Sequence, residues 1–526
     1  MTSSASRRFA LHGSLAALVV GSVALAPSVA PAAPPSALDL TPLGSHASGA
    51  WDEGAAEIVA FDKQSARLFV VNAQAGTVDV LDASDPTDLA LVDTLAAPGA
   101  NSVAASHGLI AVAEQAETKQ DPGRVAFFDA RSLEALGTVE AGALPDMVTF
   151  TPDGSTVLVA NEGEPSGYGP GHVDPEGSVT VIDVRRGVAR AAVRTADFSG
   201  FTAEGLRAEG VRITGPGATA AQDLEPEYIA VDRSGHTAYV TLQENNAMAV
   251  MDIRTATVTD VVALGVKDHS LEGAGLDASD RDGAINIATW PVKGPYMPDG
   301  IAAFSAQGRT FTVTANEGDA REYGDEDAAD FYTDEARVKD LTLDPAEFPD
   351  ASDLQKNGAL GRLGVVTDSP RGDAGYTELW SYGARSITIR DSAGRPVWDS
   401  GDALEQMMAA FDPASFNGEA DLGEDGTVEF EFDNRSDNKG PEPEGVTTGS
   451  VGGRTYVFAG LERASAIAVF DVTDPTAPVA QGVFRNDGDY GPEGLLFVPA
   501  SESPTHTPLL VVGNEVSGTT TVWQIS

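Results

Sequence analysis

Alternating apolar and polar positions recur along this chain in one short pattern that closes on an acidic residue. A two-residue period rich in β-branched side chains is typical of a half-buried β-strand. Seven copies, the last one degenerate, indicate an internal repeat. The copies are TVDVLDA (77–83), RVAFFDA (124–130), SVTVIDV (178–184), AMAVMDI (247–253), SITIRDS (386–392), AIAVFDV (466–472) and TTTVWQI (519–525).

Each copy follows two further apolar runs of strand length, such as EIVAFD (57–62) and RLFVVNAQ (67–74) before the first copy. Uninterrupted repeats span about 45 residues, the length of a four-stranded propeller blade. The last repeat has three strands, and LDLTPLGSH (38–46) can supply the missing outer strand and remove a free sheet edge. The sequence therefore predicts an all-β fold, a single seven-bladed β-propeller of the YVTN or WD40-like kind over residues 38–526.

Four long segments interrupt the repeat, and the third of them lies between the second and third strands of the fifth blade. Long non-repeat insertions in a compact array are typically functional lids, binding loops or disordered decoration, and the sequence leaves these roles open. The insertions span about 188–222, 266–296, 320–380 and 402–438.

Acidic residues stand at the strand ends that should surround one mouth of the propeller channel. Consecutive strands of a blade run antiparallel, so the start of the innermost strand and the end of the second strand share one end of the sheet. The innermost strands begin with Glu57, Asn101, Asp146, Glu227, Asp299, Glu444 and Glu493. The second strands end with Glu114, Glu162, Glu244, Glu317, Glu462 and Glu515. The prediction is a ring of up to twelve carboxylates.

Such a ring favours bound cations, because like charges within a few ångströms raise one another's pKa or need neutralising. Hard oxygen ligands suit Ca²⁺ better than a thiophilic metal. The glutamate pairs in LEPEY (224–228) and GPEPEG (440–445) strengthen this inference, because a turn needs no second acid. The alternative is that the acids only cap strand ends and face water. The predicted metal ligands are Glu162, Glu225, Glu227, Glu244, Asp299, Glu317, Glu442, Glu444 and Glu493.

A second cation site is predicted in GLDASDRDGAINI (275–287), where Asp277, Asp280 and Asp282 precede Gly283 as in a calcium loop. The spacing departs from the EF-hand pattern and lacks its distant glutamate. A plain acidic turn explains the segment equally well.

Basic residues are scarce, and Arg321, Arg435 and Lys439 stand beside the acidic motifs. If the substrate were a phosphate ester, metal ions would bind its oxygens and activate water, and these cations would cancel the remaining charge. Glu227 and Glu444 complete the candidate catalytic set. The alternative is that the basic residues only bridge the acids. No G-x-S-x-G, Walker A or H-E-x-x-H motif points to another chemistry.

Composition and the first residues restrict the class of protein further. The formal net charge of −46, from 79 acidic and 33 basic residues, argues against binding nucleic acid or anionic membranes. There is no cysteine, which excludes disulfides and thiolate sites. Residues 1–33 predict a signal peptide, of the twin-arginine type through Arg7 and Arg8 or of the general secretory type. No other run approaches the ~20 apolar residues of a membrane span, so we expect a secreted protein without a span in its mature chain.

Several long phrases carry a family resemblance: VANEGEPSGYG, QDLEPEYIAV, LQENNAMAV, MPDGIAAF, TANEGDAREY, EARVKDL, LWSYGARSITI and SDNKGPEPEGV. They resemble the choice-of-anchor I family across about 45–526, and that family is related to mesenchyme-specific cell surface glycoproteins. Some of its members are described as atypical alkaline phosphatases, and NKGPEPEG is similar to the N-K-G-x-E-G of phytase-like esterase propellers. The resemblance implies an extracellular propeller, a divalent-cation requirement and phosphoesterase activity. Because TTTVWQIS carries no hydrophobic tail, we expect release into the medium.

Three functional interpretations remain open after this reading of the sequence. The first is a secreted, metal-dependent phosphoesterase that acts on phosphate esters at the acidic mouth. The second is a non-catalytic calcium-binding protein of a surface or matrix. The third is a scaffold whose insertions bind a protein partner.

Overall fold

Seven antiparallel sheets of four strands each build this molecule and confirm the predicted seven-bladed β-propeller. The computed structural model describes residues 38–324 and 331–526, and the predicted signal peptide lies outside the described residues. The strands of each blade are given from the innermost outwards. Blade 1 consists of Val59–Asp62, Arg67–Asn72, Thr77–Asp82 and Ala90–Ala96, and blade 2 consists of Ala100–Ser106, Leu109–Glu114, Pro122–Asp129 and Ala135–Ala143. Blade 3 consists of Pro145–Phe150, Thr156–Asn161, Ser178–Asp183 and Ala192–Asp197, and blade 4 consists of Ile229–Val231, Thr237–Leu242, Ala247–Asp252 and Thr257–Ala263.

Blades 5 to 7 follow the same order of strands from the channel to the rim. Blade 5 consists of Ile301–Ala306, Arg309–Asn316, Ser386–Asp391 and Pro396–Asp399. Blade 6 consists of Pro443–Val451, Arg454–Leu461, Ala466–Asp471 and Val479–Phe484. Blade 7 consists of Pro492–Val498, Leu509–Asn514, Thr519–Ile525 and Leu40–Ala47. Leu40–Ala47 pairs antiparallel with Thr519–Ile525, so the beginning and the end of the described chain complete one blade. This pairing leaves no blade with a missing outer strand.

The cores of the propeller lie between successive blades. Phe69 and Val80 of blade 1, for example, pack with Ile110 and Val112 of blade 2. The two middle strands of a blade are therefore buried on both faces, whereas an outer strand such as Ala90–Ala96 is largely exposed. This difference explains why the outer strands gave the weakest alternation in the sequence.

The segment 188–222 contains the outer strand of blade 3, Ala192–Asp197, in addition to inserted residues. Five of the six side chains of that strand are exposed, so it lacks the apolar period by which the other strands were found. The true insertion follows it and includes the helices Ala203–Glu209 and Ala220–Asp223. The side chain of Thr202 caps the first of these helices by accepting a hydrogen bond from the backbone N–H of Gly205.

Three insertions fold together into what we call the cap, residues 266–296, 331–380 and 402–438. Leu276 and Val292 of its first segment share a hydrophobic core with Val338, Phe348 and Leu363 of its second segment. The regular elements of the cap are Val266–Asp268 with Lys293–Pro295, Glu335–Arg337 with Gly364–Val366, Arg371–Gly372 with Gly375–Tyr376, Ala420–Leu422 with Val428–Phe430, the helices Ala351–Leu354 and Ala403–Phe411, and short 3-10 turns.

The cap lies on the mouth face of the propeller because of where its segments leave the blades. Each of them joins a second strand to a third strand, or an outer strand to the next innermost strand, and these connections share one face in an antiparallel blade. In the described part of the chain, no helix combines the length and the apolar character that crossing a bilayer requires.

Candidate metal centre

Acidic side chains from several blades converge on a cavity of about 550 Å³ at one end of the channel. The cavity also receives side chains from the residues that lead into the cap, among them Asp319 and Tyr323. Of the residues predicted to surround the mouth, those that line this cavity are Glu57, Asn101, Asp146, Glu162, Glu225, Glu227, Glu244 and Glu493.

A β-bulge directs the innermost-strand acid of several blades towards the channel. The register shifts between Pro145 and Val148 in blade 3, and the shift encloses Asp146. Equivalent shifts enclose Glu444 in blade 6 and Glu493 in blade 7. Because a bulge leaves one residue unpaired and re-aims its side chain, it explains how strands of ordinary alternation present an acid to the mouth.

The residue after the second strand, rather than its last residue, faces the mouth in blade 2. Glu114 pairs with Arg124 within the sheet and lines a separate cavity, whereas Gln115 lines the mouth. Blade 4 places Gln243 in the mouth beside Glu244, and its amide donates to Glu317 at 3.0 Å. Neither glutamine is among the predicted mouth residues, because alignment of the blades on their acids passes over a strand end that carries an amide.

The first group of acids that could hold an ion consists of Asp146, Glu162 and Glu227. One carboxylate oxygen of each lies within 4.8 Å of the other two. Burial raises the pKa of Asp146 to about 6, and burial together with neighbouring acids holds the pKa of Glu162 and of Glu227 well above the ordinary value. In the described residues no ion pair neutralises any of the three, although Lys119 acts on Asp146 from a longer distance.

The second group consists of Asp299, Glu317 and Glu444, whose oxygens meet the same distance limit. Burial and neighbouring acids hold the pKa of Asp299 and of Glu444 well above the ordinary value. Glu317 differs from them, because it accepts hydrogen bonds from Lys439 and from Gln243. This group therefore contains two uncompensated carboxylates and one that is already paired.

The third group joins Glu317 to Glu442 and Glu462, but Glu442 is already neutralised there. Its carboxylate lies 2.7 Å from Arg435, 3.4 Å from Arg463 and 3.7 Å from Lys439. Burial opposes ionisation, yet these three cations hold the pKa of Glu442 below its ordinary value. Glu442 thus acts as a structural counter-ion, and the third group is the weakest place for a metal ion.

The two glutamates of the other Glu-Pro-Glu phrase, in LEPEY (224–228), also differ in their surroundings. Glu225 lies 2.9 Å from Arg321 and accepts a hydrogen bond of 2.8 Å from the hydroxyl of Tyr323. Glu227, two residues later, belongs to the uncompensated first group. In both phrases the first glutamate is anchored by arginine and the second one faces the channel.

Unpartnered oxygens show that the mouth fits a hard cation. Among residues 38–324 and 331–526, the Oε2 atoms of Glu244, Glu444 and Glu493 are buried and have no hydrogen-bond partner. Glu244 is only 8% exposed and lines the cavity. A buried carboxylate oxygen without a donor is costly, and a bound cation coordinated by oxygen would satisfy it.

The sequence profile of the choice-of-anchor I domain matches residues 57–475. The chain belongs to the choice-of-anchor I family. A mesenchyme-specific cell surface glycoprotein of Strongylocentrotus purpuratus is 31% identical over 51% of this choice-of-anchor I chain and 37% of its own length. Gigasin-3a of Magallana gigas is 31% identical over 33% of this chain and 66% of its own length. The chain therefore covers less than two thirds of either relative.

Solved structures resemble this choice-of-anchor I chain only at the level of the fold. A chain of a mitotic checkpoint complex aligns over 97% of this chain and 99% of its own length, with a TM-score of 0.47 and 11% identity. At that level the similarity carries no argument about function.

The predicted second site of this choice-of-anchor I chain does not gather its three acids around one point. Asp280 forms ion pairs with Arg362 and Arg281. Asp277 accepts backbone hydrogen bonds from Ser279 and Asn286, as a turn residue does. Asp282 accepts hydrogen bonds from the backbone of Ala284 and the side chain of Asn286.

The predicted basic residues of the choice-of-anchor I site have different surroundings. Arg321 is fully buried between Glu225 and Asp223, and Arg435 pairs with Glu442 and, at 3.8 Å, with Glu419. Both bridge acids of the scaffold. Lys439, by contrast, reaches Glu317, which belongs to both the second and the third acidic group.

Proposed function

We propose that this choice-of-anchor I propeller is an extracellular protein that binds divalent cations, Ca²⁺ first among them, at the mouth of its channel. The observation that carries the proposal is the group of Asp146, Glu162 and Glu227, three close carboxylates without an ion pair in the described residues. Such a group must either take up protons or bind a cation. An exclusive set of hard oxygen ligands favours Ca²⁺ over metals that prefer nitrogen or sulfur.

An extracellular location is supported by the sequence and by one relative. Residues 1–33 have the pattern of an export signal. The Strongylocentrotus purpuratus relative is named as a cell surface glycoprotein. Extracellular fluids offer abundant Ca²⁺, so a site of modest affinity would be filled there.

Metal analysis of the purified protein tests this proposal. After dialysis against Ca²⁺, mass spectrometry of the elements should find at least about one ion per chain, and EGTA should lower the melting temperature by about 3 °C or more. Parallel dialysis against Mg²⁺ and Mn²⁺ would rank the ions. Protein that carries no Ca²⁺ and melts at one temperature with and without EGTA would rule out a cation site and favour the partner-binding scaffold.

A second candidate function, hydrolysis of phosphate esters, is favoured by the position of Lys439. Burial opposes its charge, but Glu317, Asp319 and Glu442 hold the pKa of Lys439 well above its ordinary value, so the amine stays cationic. A cation bound by the acidic groups would activate water and polarise a phosphoryl oxygen. Lys439 would then attract the ester, while Glu227 of the first acidic group and Glu444 of the second would help to hold the cation.

A turnover assay separates this second function from cation binding alone. With Ca²⁺ present, the protein should release phosphate from 4-nitrophenyl phosphate, and Lys439→Met should reduce kcat/KM by at least about 10-fold. The variant should bind as much Ca²⁺ as the wild type, because the first acidic group has no ion pair with Lys439 and Glu317 is freed from one. A metal-loaded wild type that turns over no member of a broad ester panel would leave the non-catalytic calcium-binding protein.

A further inference from the structure

A second group of buried acids lies inside the cap, away from the channel mouth. It forms where the loop 275–287 meets the loop 416–437, and we call this place the cap junction. Glu405 holds the two loops together: it accepts a hydrogen bond of 2.8 Å from the backbone N–H of Asp277, and the side-chain amide of Asn417 approaches its other oxygen at 3.4 Å. The positions of the two loops are therefore coupled through Glu405.

The cap junction carries more negative charge than its arginines neutralise. Arg385 pairs with Glu405 at 2.8 Å, and Arg362 pairs with Asp280. For Asp277, Asp282 and Asp433, the described residues provide no ion pair. Asp277 is completely buried and Asp433 is 2% exposed. Two buried carboxylates and a third at their edge thus remain without a counter-charge.

Three polar atoms of the cap junction lack hydrogen-bond partners in the described residues: the Nε of Arg385 and two side-chain oxygens. The hydroxyl of Ser436 donates to Oδ1 of Asp433 at 2.5 Å and accepts from the amide of Asn417 at 2.9 Å. Oδ2 of Asp433 and Oδ1 of Asn417 are both buried, and neither has a hydrogen-bond partner in the described part of the chain. Because Ser436 links the two side chains, the two free oxygens belong to one local cluster.

The acids of the loop 275–287 act electrostatically on Asp433. Burial is the main reason that the pKa of Asp433 rises to about 7, and the acids that add to the rise are Asp277, Asp282 and Asp280. The guanidinium of Arg385 pairs with Glu405 and donates to backbone carbonyls, including that of Ser436, and it forms no ion pair with Asp433.

We propose that the cap junction is a structural site for a hard divalent cation, with Ca²⁺ as the preferred ion. Oδ2 of Asp433 and Oδ1 of Asn417 are its inner ligands. No three carboxylates of the junction lie as close together as those of the mouth, so Asp277 and Asp282 reach the ion through water. Carboxylate, amide and water oxygens are the mixture that Ca²⁺ takes in loop sites.

The proposed ion would cross-link parts of the chain that are far apart in sequence. The loop 275–287 precedes blade 5, and the loop 416–437 precedes blade 6. An ion between them would fix the first and third cap segments to each other, next to the second segment that shares a core with the first. This role is independent of the proposed function at the mouth and does not require it.

Asp433→Asn tests the cap junction without changing the size of the side chain. After dialysis against Ca²⁺, the variant should carry about one ion per chain less than the wild type. The matched control is Asp425→Asn, which removes the same charge from an exposed turn of the same cap segment. The control should retain every ion. An equal ion count in wild type and Asp433→Asn would overturn the proposal. In that case a bound proton, rather than a cation, would satisfy Oδ2 of Asp433.

Hydrogen exchange provides a second measurement, which leaves the residues of the cap junction unchanged. Addition of Ca²⁺ to EGTA-treated protein should slow amide exchange in both loops, 275–287 and 416–437, and Glu162→Gln/Glu227→Gln should leave this slowing intact. Exchange that ignores Ca²⁺ in both loops would refute the junction site. Since the double variant removes only the mouth group, failure at the mouth and failure at the junction give different results.

Discussion

Replacing Glu162 and Glu227 together with glutamine is expected to weaken Ca²⁺ binding at the channel mouth by about 100-fold or more, equivalent to ~2.7 kcal/mol. The change removes two of the three carboxylates of the first acidic group and leaves Asp146. Glutamine keeps the size of each side chain and one oxygen ligand, so the loss reports charge rather than packing. Isothermal titration with Ca²⁺ measures it directly.

The same double variant should be more stable than the wild type when no metal is present. Burial and mutual repulsion hold the pKa of both glutamates well above the ordinary value, which means that their ionised forms destabilise the folded protein at neutral pH. Glutamine removes that penalty, so the melting temperature in EGTA should rise while the stabilisation by Ca²⁺ shrinks.

A control for charge alone comes from the exposed helix Ala203–Glu209. Glu204→Gln/Glu209→Gln removes the same two charges at exposed positions of that helix. It should leave both the Ca²⁺ affinity and the melting temperature in EGTA nearly unchanged. If the mouth variant bound Ca²⁺ as tightly as this control, the first acidic group would not be the cation site.

The acidic mouth could be predicted because it depends on features that repeat. Alternation located the strands, and their antiparallel order placed the starts of the innermost strands at one end of the channel. Asp146, Glu227 and Glu493 line the cavity accordingly. The error at Glu114 has a local cause: its ladder partner is Arg124, and only the paired register shows that Gln115 follows the strand.

The different roles of the two glutamates in each Glu-Pro-Glu phrase could not be predicted. Glu442 and Glu444 have almost the same neighbours in sequence. Arg463, in the turn after the second strand of blade 6, pairs with Glu442, and so does Arg435 of the cap. Only folding brings those cations together around one of the two carboxylates. Tertiary ion pairs of this kind leave no periodic signal in a single sequence.

The insertions could be located as breaks in the repeat, but their folding together into one cap could not be predicted, because they share no repeat with the blades. Its attachment also rests on contacts between distant residues. Arg212, which precedes blade 4, lies 2.8 Å from both Asp334 and Asp368 of the cap. Arg321 is likewise buried and pairs with Asp223 and Glu225, so substitution of either arginine would leave buried carboxylates without a counter-charge.

Arg321→Met is expected to lower the free energy of unfolding by about 3–5 kcal/mol, the effect of breaking a buried ion pair on one side. The guanidinium is fully buried, lies 2.9 Å from Glu225 and donates at 2.8 Å to the backbone carbonyl of Asp223. Methionine fills much of the volume but leaves Glu225 buried without its counter-charge. Urea unfolding of wild type and variant, in EGTA to exclude metal effects, measures the difference.

The double variant Arg321→Met/Glu225→Gln decides whether the loss is electrostatic. Removing the stranded carboxylate should restore at least half of the lost stability, since a neutral amide can still accept from Tyr323. Arg395→Met is the surface control: its pair with Asp391 is exposed on the arginine side, and it should cost less than about 1 kcal/mol. A double variant as unstable as Arg321→Met alone would mean that Arg321 supports the mouth through packing and its backbone contacts, and that Glu225 needs no counter-charge there.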